Sequence, residues 1–559
     1  MKFFDLETDG TDPNTAKLKF AGFLDSETGE CIILDHTKNE QIKDIIKKEK
    51  IFVGFNIKGF DIPIAERFGC SFKYKILVDL YEALSPRGDN GFGSNNKDRL
   101  RDINPILTFP NYKLKTIIET LKLDDEGNKG DIDYKIFQKN EWSEEERKEI
   151  EKYLKQDLLL VKKLFDWYNG IFKPIEKYLE KEDVRKFKHL TCTSGCFGYK
   201  VECKLTGMKE EYNDKETSKK LKKESVKIEG GYHLTPTHSK VRGKIICRDF
   251  VSQYPHNIIM YNLLPQKQTE AIQKILTERL IAKAKGDKVT ALAYKVPINS
   301  IYGIIGNSTF KNIYNPNAAA RCTEIGRQHI RRYAKTLEVA GFVPVYGFTD
   351  SCYVGIPKGL TEEDLDIVTK YFTDIIKKEC PNPINSFGLS IDGKYKFMWF
   401  LGLNNYLYVT DKNHIGYKGG ALFDKNAPEC LIKLFDAFIK PKIIEQLDVN
   451  FTEEELQQQL KKIITEDIEL ASEEYSVKSL KEYKSKTSIQ YQISNRYGEG
   501  KHKLIPNTSS LGVGKNKDLS YCSYKEFQEH NLTIDSISLK RMMKYIEPFY
   551  KAKDEVYEI

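Results

Sequence analysis

A chain of 559 residues, 40% hydrophobic and 30% charged, has room for three to four domains at roughly 150 residues each, and its composition excludes a disordered or fibrous protein. Its 89 Lys and Arg against 81 Asp and Glu leave a net charge of +8, which tolerates a polyanionic partner without demanding one. No apolar run reaches membrane-spanning length, the start MKFFDLETDG is acidic where a signal peptide is basic and apolar, and the 11 scattered cysteines read as free thiols, so a cytoplasmic protein is expected, neither secreted nor membrane-bound.

Residues 1–168 alternate short apolar stretches (Leu18–Phe23, Cys31–Leu34, Ile51–Phe55) with helical periodicity at Glu145–Tyr168, an α/β pattern. Residues 169–225 read as mostly helical and close in a lysine-rich stretch, Lys215–Lys227, for which a solvated helix face is the plainer reading and nucleic-acid contact the sharper one. KIICRDF (Lys244–Phe250) predicts a strand running into a turn-like SQYP. Glu270–Lys285 and Lys288–Tyr302 are separated only by Gly286 and Asp287 and predict a helical hairpin. Phe342–Tyr346, GFTDS and CYVGI predict a β-hairpin with an acidic residue, Asp350, at its tip. Beyond Phe423 the pattern is helical at Ala427–Gln446 and Glu453–Glu466, before a Gly- and Asn-containing tail at Asn495–Lys515.

The acidic residues of the first domain suggest one site. Asp5 and Glu7 are two apart on a predicted strand, so their carboxylates share a face. FNIKGFD places Asp61 after a turn containing Asn56 and Phe60, and YLKQD places Tyr153 one helical turn before Asp157. Four carboxylates with hydroxyl and amide neighbours suit a two-metal phosphodiester hydrolase. In order and spacing they resemble the three motifs of the proofreading 3′–5′ exonucleases. In KGDIDY, Lys129 and Tyr134 are similar to an extra motif of the protein-primed phage polymerases, which implies a lysine assisting catalysis and a tyrosine close to the site.

The second half carries DFVSQYP (Asp249, Ser252, Tyr254, Pro255), KVPINSIYG (Lys295, Asn299, Ser300, Tyr302, Gly303) and YGFTDS (Tyr346, Thr349, Asp350, Ser351). In this order, after an exonuclease-like domain, they resemble motifs A, B and C of the family B DNA polymerases, and the resemblance runs over nearly the whole chain. It implies an α/β and α+β multidomain fold: a ribonuclease H-like exonuclease at 1–168, a helical linker region at 169–225, a palm at 226–265 and 304–425 interrupted by fingers at 266–303, and a thumb, largely helical, at 426–559. It also implies two magnesium ions per active site, with manganese as a substitute, held by Asp249 and Asp350 for synthesis and by Asp5, Glu7, Asp61 and Asp157 for editing. Arg279 and Lys283, one helical turn apart, would form with Lys295 a cationic clamp on the triphosphate. Tyr254 and Ser252 would lie at the incoming sugar, and Asn299 and Tyr302 at the nascent base pair. Asn56, Phe60, Tyr134, Gly230, Gly231, Gly303, Thr349, Tyr406 and Lys418 are the expected DNA contacts, Lys418 and Gly419 forming the lysine-glycine element. The implied partners are primer-template DNA and deoxynucleoside triphosphates; replication accessory proteins are left open.

Five positions depart from the family pattern: Phe348 replaces the first aspartate of motif C, Gln253 a leucine of motif A, Asn404 the lysine of the KxY element and Ile228 the tyrosine of the YxGG linker, while Pro297 lies inside the motif B helix. The intervals from Asp249 to Lys295 (46 residues) and from Gly303 to Tyr346 (43 residues) have no room for the insertions of the protein-primed branch. The exonuclease motifs also begin at residue 5. A compact polymerase of a phage or small replicon, extending ordinary nucleic-acid primers, is therefore expected. The alternative is an editing or repair exonuclease with a weakened polymerase half, motivated by Phe348 and Asn404. A non-catalytic DNA-binding scaffold sits poorly with six retained carboxylates.

Overall fold

Phe3 and Phe4 point to opposite faces of the first strand, β1 (Lys2–Thr8), and both are fully buried, which makes β1 a central strand covered on both sides. In the computed structural model, which describes residues 1–84, 113–123, 132–402, 404–418, 427–447, 450–477, 479–480, 483, 488–507, 520–551 and 555–559, this strand is the middle of a five-stranded sheet. Its order is β3-β2-β1-β4-β5, with β2 (Leu18–Asp25) and β3 (Cys31–Asp35) antiparallel and β4 (Ile51–Gly54) and β5 (Ile76–Asp79) parallel. Helix α1 (Asp61–Arg67) follows β4.

Helix α2 (Glu144–Phe172) starts at a capping box formed by Ser143 and Glu146, and three glutamates in its first turn suit the positive end of the helix dipole. Leu154, Leu158, Val161 and Phe165 recur at helical spacing and are buried. The sheet meets this stripe with bare backbone: a Cβ on Gly22 would lie 2.8 Å from Leu154 Cγ and 2.9 Å from Leu158 Cδ1. Gly22 is also the β2 partner of Asp5, and the same turn of α2 carries Tyr153 and Asp157.

This sheet belongs to a unit comprising Met1–Glu229, Ser252–Ile325 and Cys380–Ile384. It continues with α3 (Ser194–Thr206), α4 (Lys215–Glu224), α5 (Gln253–Met260), α6 (Gln266–Ala284) and α7 (Lys288–Ile305). SQYP, expected as a turn, instead opens α5. Ser252 takes a left-handed conformation (φ 49) that redirects the chain, and Pro255 then falls in the first helical turn, where its missing N–H has no partner to lose. Helices α6 and α7 follow the expected pattern. Gly286 supplies a positive φ of 74, and Asp287 caps α7 by accepting from the Thr290 N–H at 3.0 Å. Pro297 sits within α7 without ending it, and the Ser300 hydroxyl donates to the Pro297 carbonyl at 2.9 Å.

The second unit comprises Gly230–Val251, Gly326–Glu379 and Asn385–Ile559. Its main sheet runs β12-β11-β10-β7-β9-β8-β6: β6 (His233–Leu234), β7 (Lys240–Phe250), β8 (Val343–Phe348), β9 (Ser351–Gly355), β10 (Leu389–Gly402), β11 (Asn405–Thr410) and β12 (Ile415–Lys418). Phe250, at the end of β7, packs among His329, Tyr333, Phe372 and Phe387. The C-terminal part has the expected helix Glu453–Glu466 but also an unexpected antiparallel sheet of β13 (Glu473–Val477), β14 (Gly500–Asn507) and β15 (Ser520–Cys522). Val477, Leu504 and Tyr521 bury one face of it, and buried Glu473 pairs with Arg541. Among the described residues no helix is long and apolar enough to cross a membrane.

Substituting Gly22→Ala should force α2 away from β2, at roughly 1–3 kcal/mol, and loosen the carboxylates on both elements. Urea unfolding measures the first effect and divalent-cation titration the second.

Candidate functional site

Because β1 has a two-residue period, Asp5 and Glu7 project from one face, and α2 brings Asp157 to them: one carboxylate oxygen from each of the three lies within 4.8 Å of the others. Glu7 and Asp157 are buried and Asp5 is half-buried. Asp61 is engaged differently. It is 3% exposed and accepts the Leu6 N–H at 2.8 Å, and burial, reinforced by the neighbouring charge of Asp5, holds its carboxyl well above the usual range. Such oxygen-only crowding suits a hard divalent cation, which offsets the mutual repulsion. Tyr153 lies with its hydroxyl 3.0 Å from that of Tyr134, whose ring is 63% exposed. Burial, with Asp157 and Glu7 nearby, raises the Tyr153 phenol far above its ordinary value, so it stays protonated.

One residue that shapes this region had no signal in a motif. Buried Asp79 accepts the N–H groups of Asn56 and Lys58, both at 2.9 Å, and so fixes the turn that carries Asn56 (φ 62) and leads to Phe60 and Asp61. A carboxylate closing an apolar strand, ILVD, was its only mark in the sequence. Lys129 lies outside the described residues, as does Gly419.

In the second unit, Asp249 at the end of β7 pairs across the ladder with Ser351, whose hydroxyl donates to Asp249 Oδ2 at 2.7 Å. The Asp350 carbonyl accepts the Phe250 N–H at 2.9 Å, fixing the hairpin tip against β7. Burial and then the charge of Asp350 push the Asp249 carboxyl up to about 7; burial also raises Asp350. Two groups that the motifs leave out of this pair act on both: the carboxylate of Asp392 opposes their ionisation and the ammonium of Lys418 favours it. Asp392 sits at a β-bulge in β10, a local irregularity that no residue pattern announces.

Thr349, at the tip, adopts φ 55, a strained conformation for a β-branched residue. It is held there by its N–H, which donates to the Tyr232 carbonyl at 2.9 Å, and by Gly231, where a Cβ would come within 2.5 Å of Thr349 Oγ1. Gly231 therefore has a packing role, while the Gly230 carbonyl accepts from Arg327 at 2.9 Å. Tyr406, expected at the primer, is only 3% exposed, with its hydroxyl 2.8 Å from that of Tyr353; Lys418 is exposed on β12.

In the first unit, α6 and α7 enclose a cleft of about 310 Å³ lined by Arg279, Lys283, Lys288 and Lys295, with Asp287 and the backbone of Gly286. The three predicted cations converge there, and Lys288 is an addition. Arg279 donates from Nη1 to the Ser252 hydroxyl, and burial disfavours its charge. The rings of Tyr254 and Tyr302 lie 4.6 Å apart, while Asn299 and Gly303 are exposed.

Residues 2–169 match the RNase H superfamily and residues 287–505 match DNA polymerase family B. Among curated proteins, the DNA polymerase of Archaeoglobus fulgidus is 26% identical over 441 residues, 69% of this chain and 52% of that protein. DNA polymerase 1 of Pyrococcus abyssi is 24% identical, covering 72% and 58%. The family B DNA polymerase from Pyrobaculum calidifontis superimposes with a TM-score of 0.62 at 14% identity, over 98% of this chain and 78% of that one, a likeness of fold. A DNA polymerase family B domain thus follows an RNase H-like domain in this chain. It spans about half the length of the curated relatives that it matches over most of its own length.

The departures from the family B pattern have structural counterparts. Phe348, in place of a motif C aspartate, stacks on His233, its partner on β6, with centroids 4.5 Å apart. Asn404 (φ 56) accepts the Tyr346 hydroxyl at 2.9 Å. Gln253 is buried at the start of α5.

The Ser351 hydroxyl favours the ionised form of Asp249, so Ser351→Ala should raise that carboxyl further and weaken divalent-cation binding roughly 10–100-fold. Since the charged form binds, the loss should be greatest near pH 6 and fade towards pH 9. Manganese titrations followed by electron paramagnetic resonance would disprove this if the two proteins gave superimposable curves.

Proposed function

We propose that the chain is a template-directed DNA polymerase that extends a primer 3′-OH with deoxynucleoside triphosphates and edits it with a 3′–5′ exonuclease. The observation that carries the reading is the juxtaposition of Asp249 and Asp350 at the end of the antiparallel β7–β9 ladder, in a chain with a family B domain whose helical hairpin bears a four-cation cleft. On this reading residues 1–168 are the exonuclease domain, 226–265 and 304–425 the palm, 266–303 the fingers and 426–559 the thumb.

Two magnesium ions at each carboxylate group, with manganese able to replace them, would supply positive charge that lowers the cost of the attacking and leaving oxygens. For synthesis, Asp249 and Asp350 are the holders, and Ser351 keeps Asp249 oriented. Arg279, Lys283, Lys288 and Lys295 bind the triphosphate and neutralise charge on the departing pyrophosphate. Tyr254, backed by Tyr302, meets the sugar. For editing, Asp5, Glu7 and Asp157 are the holders and Asp61, bound to the Leu6 N–H, stands beside Asp5. The protonated Tyr153 hydroxyl donates a hydrogen bond that orients the attacking water. Asn56, Phe60 and Tyr134 contact the frayed primer end.

The short intervals between motifs A, B and C favour service in a phage or small replicon with ordinary primers. Asp350→Ala should lower primer extension by at least about 100-fold, the upper end for losing even a group that only supports a metal ligand, while leaving single-strand degradation in place; undiminished synthesis would overturn the assignment. Asp5→Ala should do the reverse, and intact degradation by that variant would remove the editing site from residues 1–168. A wild-type protein that degrades primers but never incorporates nucleotides would instead identify an editing nuclease with a weakened polymerase half.

A further inference from the structure

Helix α4 is unusual among the helices of the first unit in burying no residue at all. Its sequence, KETSKKLKKE, puts Lys215, Lys219, Lys222 and Lys223 at i, i+4, i+7 and i+8, a single stripe about 12 Å long. Lysines on neighbouring segments are neutralised: Lys200 pairs with Asp183 and Glu210, Lys204 with Glu180, and Lys209 and Lys311 with Glu211. None of the four stripe lysines has an ion-pair partner among the described residues. Two like-charge i, i+4 pairs, Lys215 with Lys219 and Lys219 with Lys223, work against the helix.

The helix is nevertheless held in place, by polar contacts at one end and one side. Asp214 caps it through the Thr217 N–H at 2.8 Å. The Ser308 hydroxyl donates to the Ser218 carbonyl at 2.8 Å, the Asn213 side chain donates to the Ser308 carbonyl at 2.7 Å, and the Asn213 N–H donates to the Thr309 carbonyl at 2.9 Å. Ser308 stands three residues beyond the end of α7, the helix that carries Lys295, Asn299 and Tyr302. A self-repelling cationic stripe is thus tethered to the end of the nucleotide-binding hairpin.

We propose that this stripe binds the phosphates of the unpaired template strand. The inference rests on the polymerase reading: an incoming nucleotide pairs with the first unpaired template base, so the body carrying the nucleotide cleft borders the unpaired strand. Lysines acting as point charges on phosphates read no bases, which is what a template of arbitrary sequence requires. The polyanion also relieves the repulsion within the stripe.

The test compares wild type with the combined Lys215→Ser, Lys219→Ser, Lys222→Ser and Lys223→Ser variant. Binding is measured by fluorescence anisotropy in magnesium-free buffer, on one duplex carrying either a long or a one-nucleotide 5′ template overhang. Wild type should bind the long overhang with a salt slope steeper by about 0.7 per contacted phosphate, up to about 2.8. The serine variant should lose that excess and about tenfold or more in affinity for the long overhang, with the short-overhang affinity unchanged. The matching Lys→Arg variant should retain wild-type behaviour, and equal melting temperatures would show that the fold is intact. Unchanged binding of both substrates by the serine variant overturns the proposal, and so does an equal loss on both, which would mean a duplex contact. Failure of wild type to bind either substrate would instead sink the polymerase reading on which it rests.

Discussion

Crowding of like charges is the constraint around which this protein is organised. A buried carboxylate is costly, and a second beside it is costlier still. The fold collects such groups twice, in Asp5, Glu7 and Asp157 and in Asp249 and Asp350. Strand β1 and helix α2 hold the first group, and the β7–β9 ladder with its hairpin tip holds the second. The Leu6 N–H steadies Asp61, the Ser351 hydroxyl steadies Asp249, and the Phe250 N–H takes the carbonyl of Asp350. The aromatic packing of Phe250 and the burial of Phe3 and Phe4 anchor the strands against the repulsion at their ends.

The same constraint gives the departures from the family pattern a physical sense. At the motif C hairpin a carboxylate has been exchanged for Phe348, which contributes stacking on His233 where an aspartate would add repulsion. Asp392 still adds negative field to both remaining aspartates, and Lys418 moderates it. The strained Thr349, between Phe348 and Asp350 in the chain, is supported by the carbonyl of Tyr232 and by the absence of a side chain at Gly231. Gly231 thus has a structural reason independent of any contact with a phosphate.

What could be read from the sequence was local or periodic. The shared face of Asp5 and Glu7 follows from the two-residue period of a strand, and the α6–α7 hairpin from Gly286 and Asp287 between two helical patterns. Long-range polar contacts left no such mark. Asp79 organises a turn over twenty residues away, and Asp392 acts from a bulge on a neighbouring strand. The β13–β14–β15 sheet was obscured because its strands are short and distant in sequence, joined by burial of Val477, Leu504 and Tyr521. SQYP was misleading because Ser252 alone makes the turn, and Pro255 is compatible with the helix that follows.

The bond between Arg279 and Ser252 has a consequence for how the cleft meets an anion. A guanidinium cannot shed its proton, so burial leaves Arg279 charged and short of the solvation it would have in water. The serine hydroxyl is a neutral acceptor and makes up only part of that shortfall. A phosphate oxygen would be a stronger one, so on the proposed polymerase reading Ser252 is a placeholder that holds the arginine extended until the triphosphate displaces it.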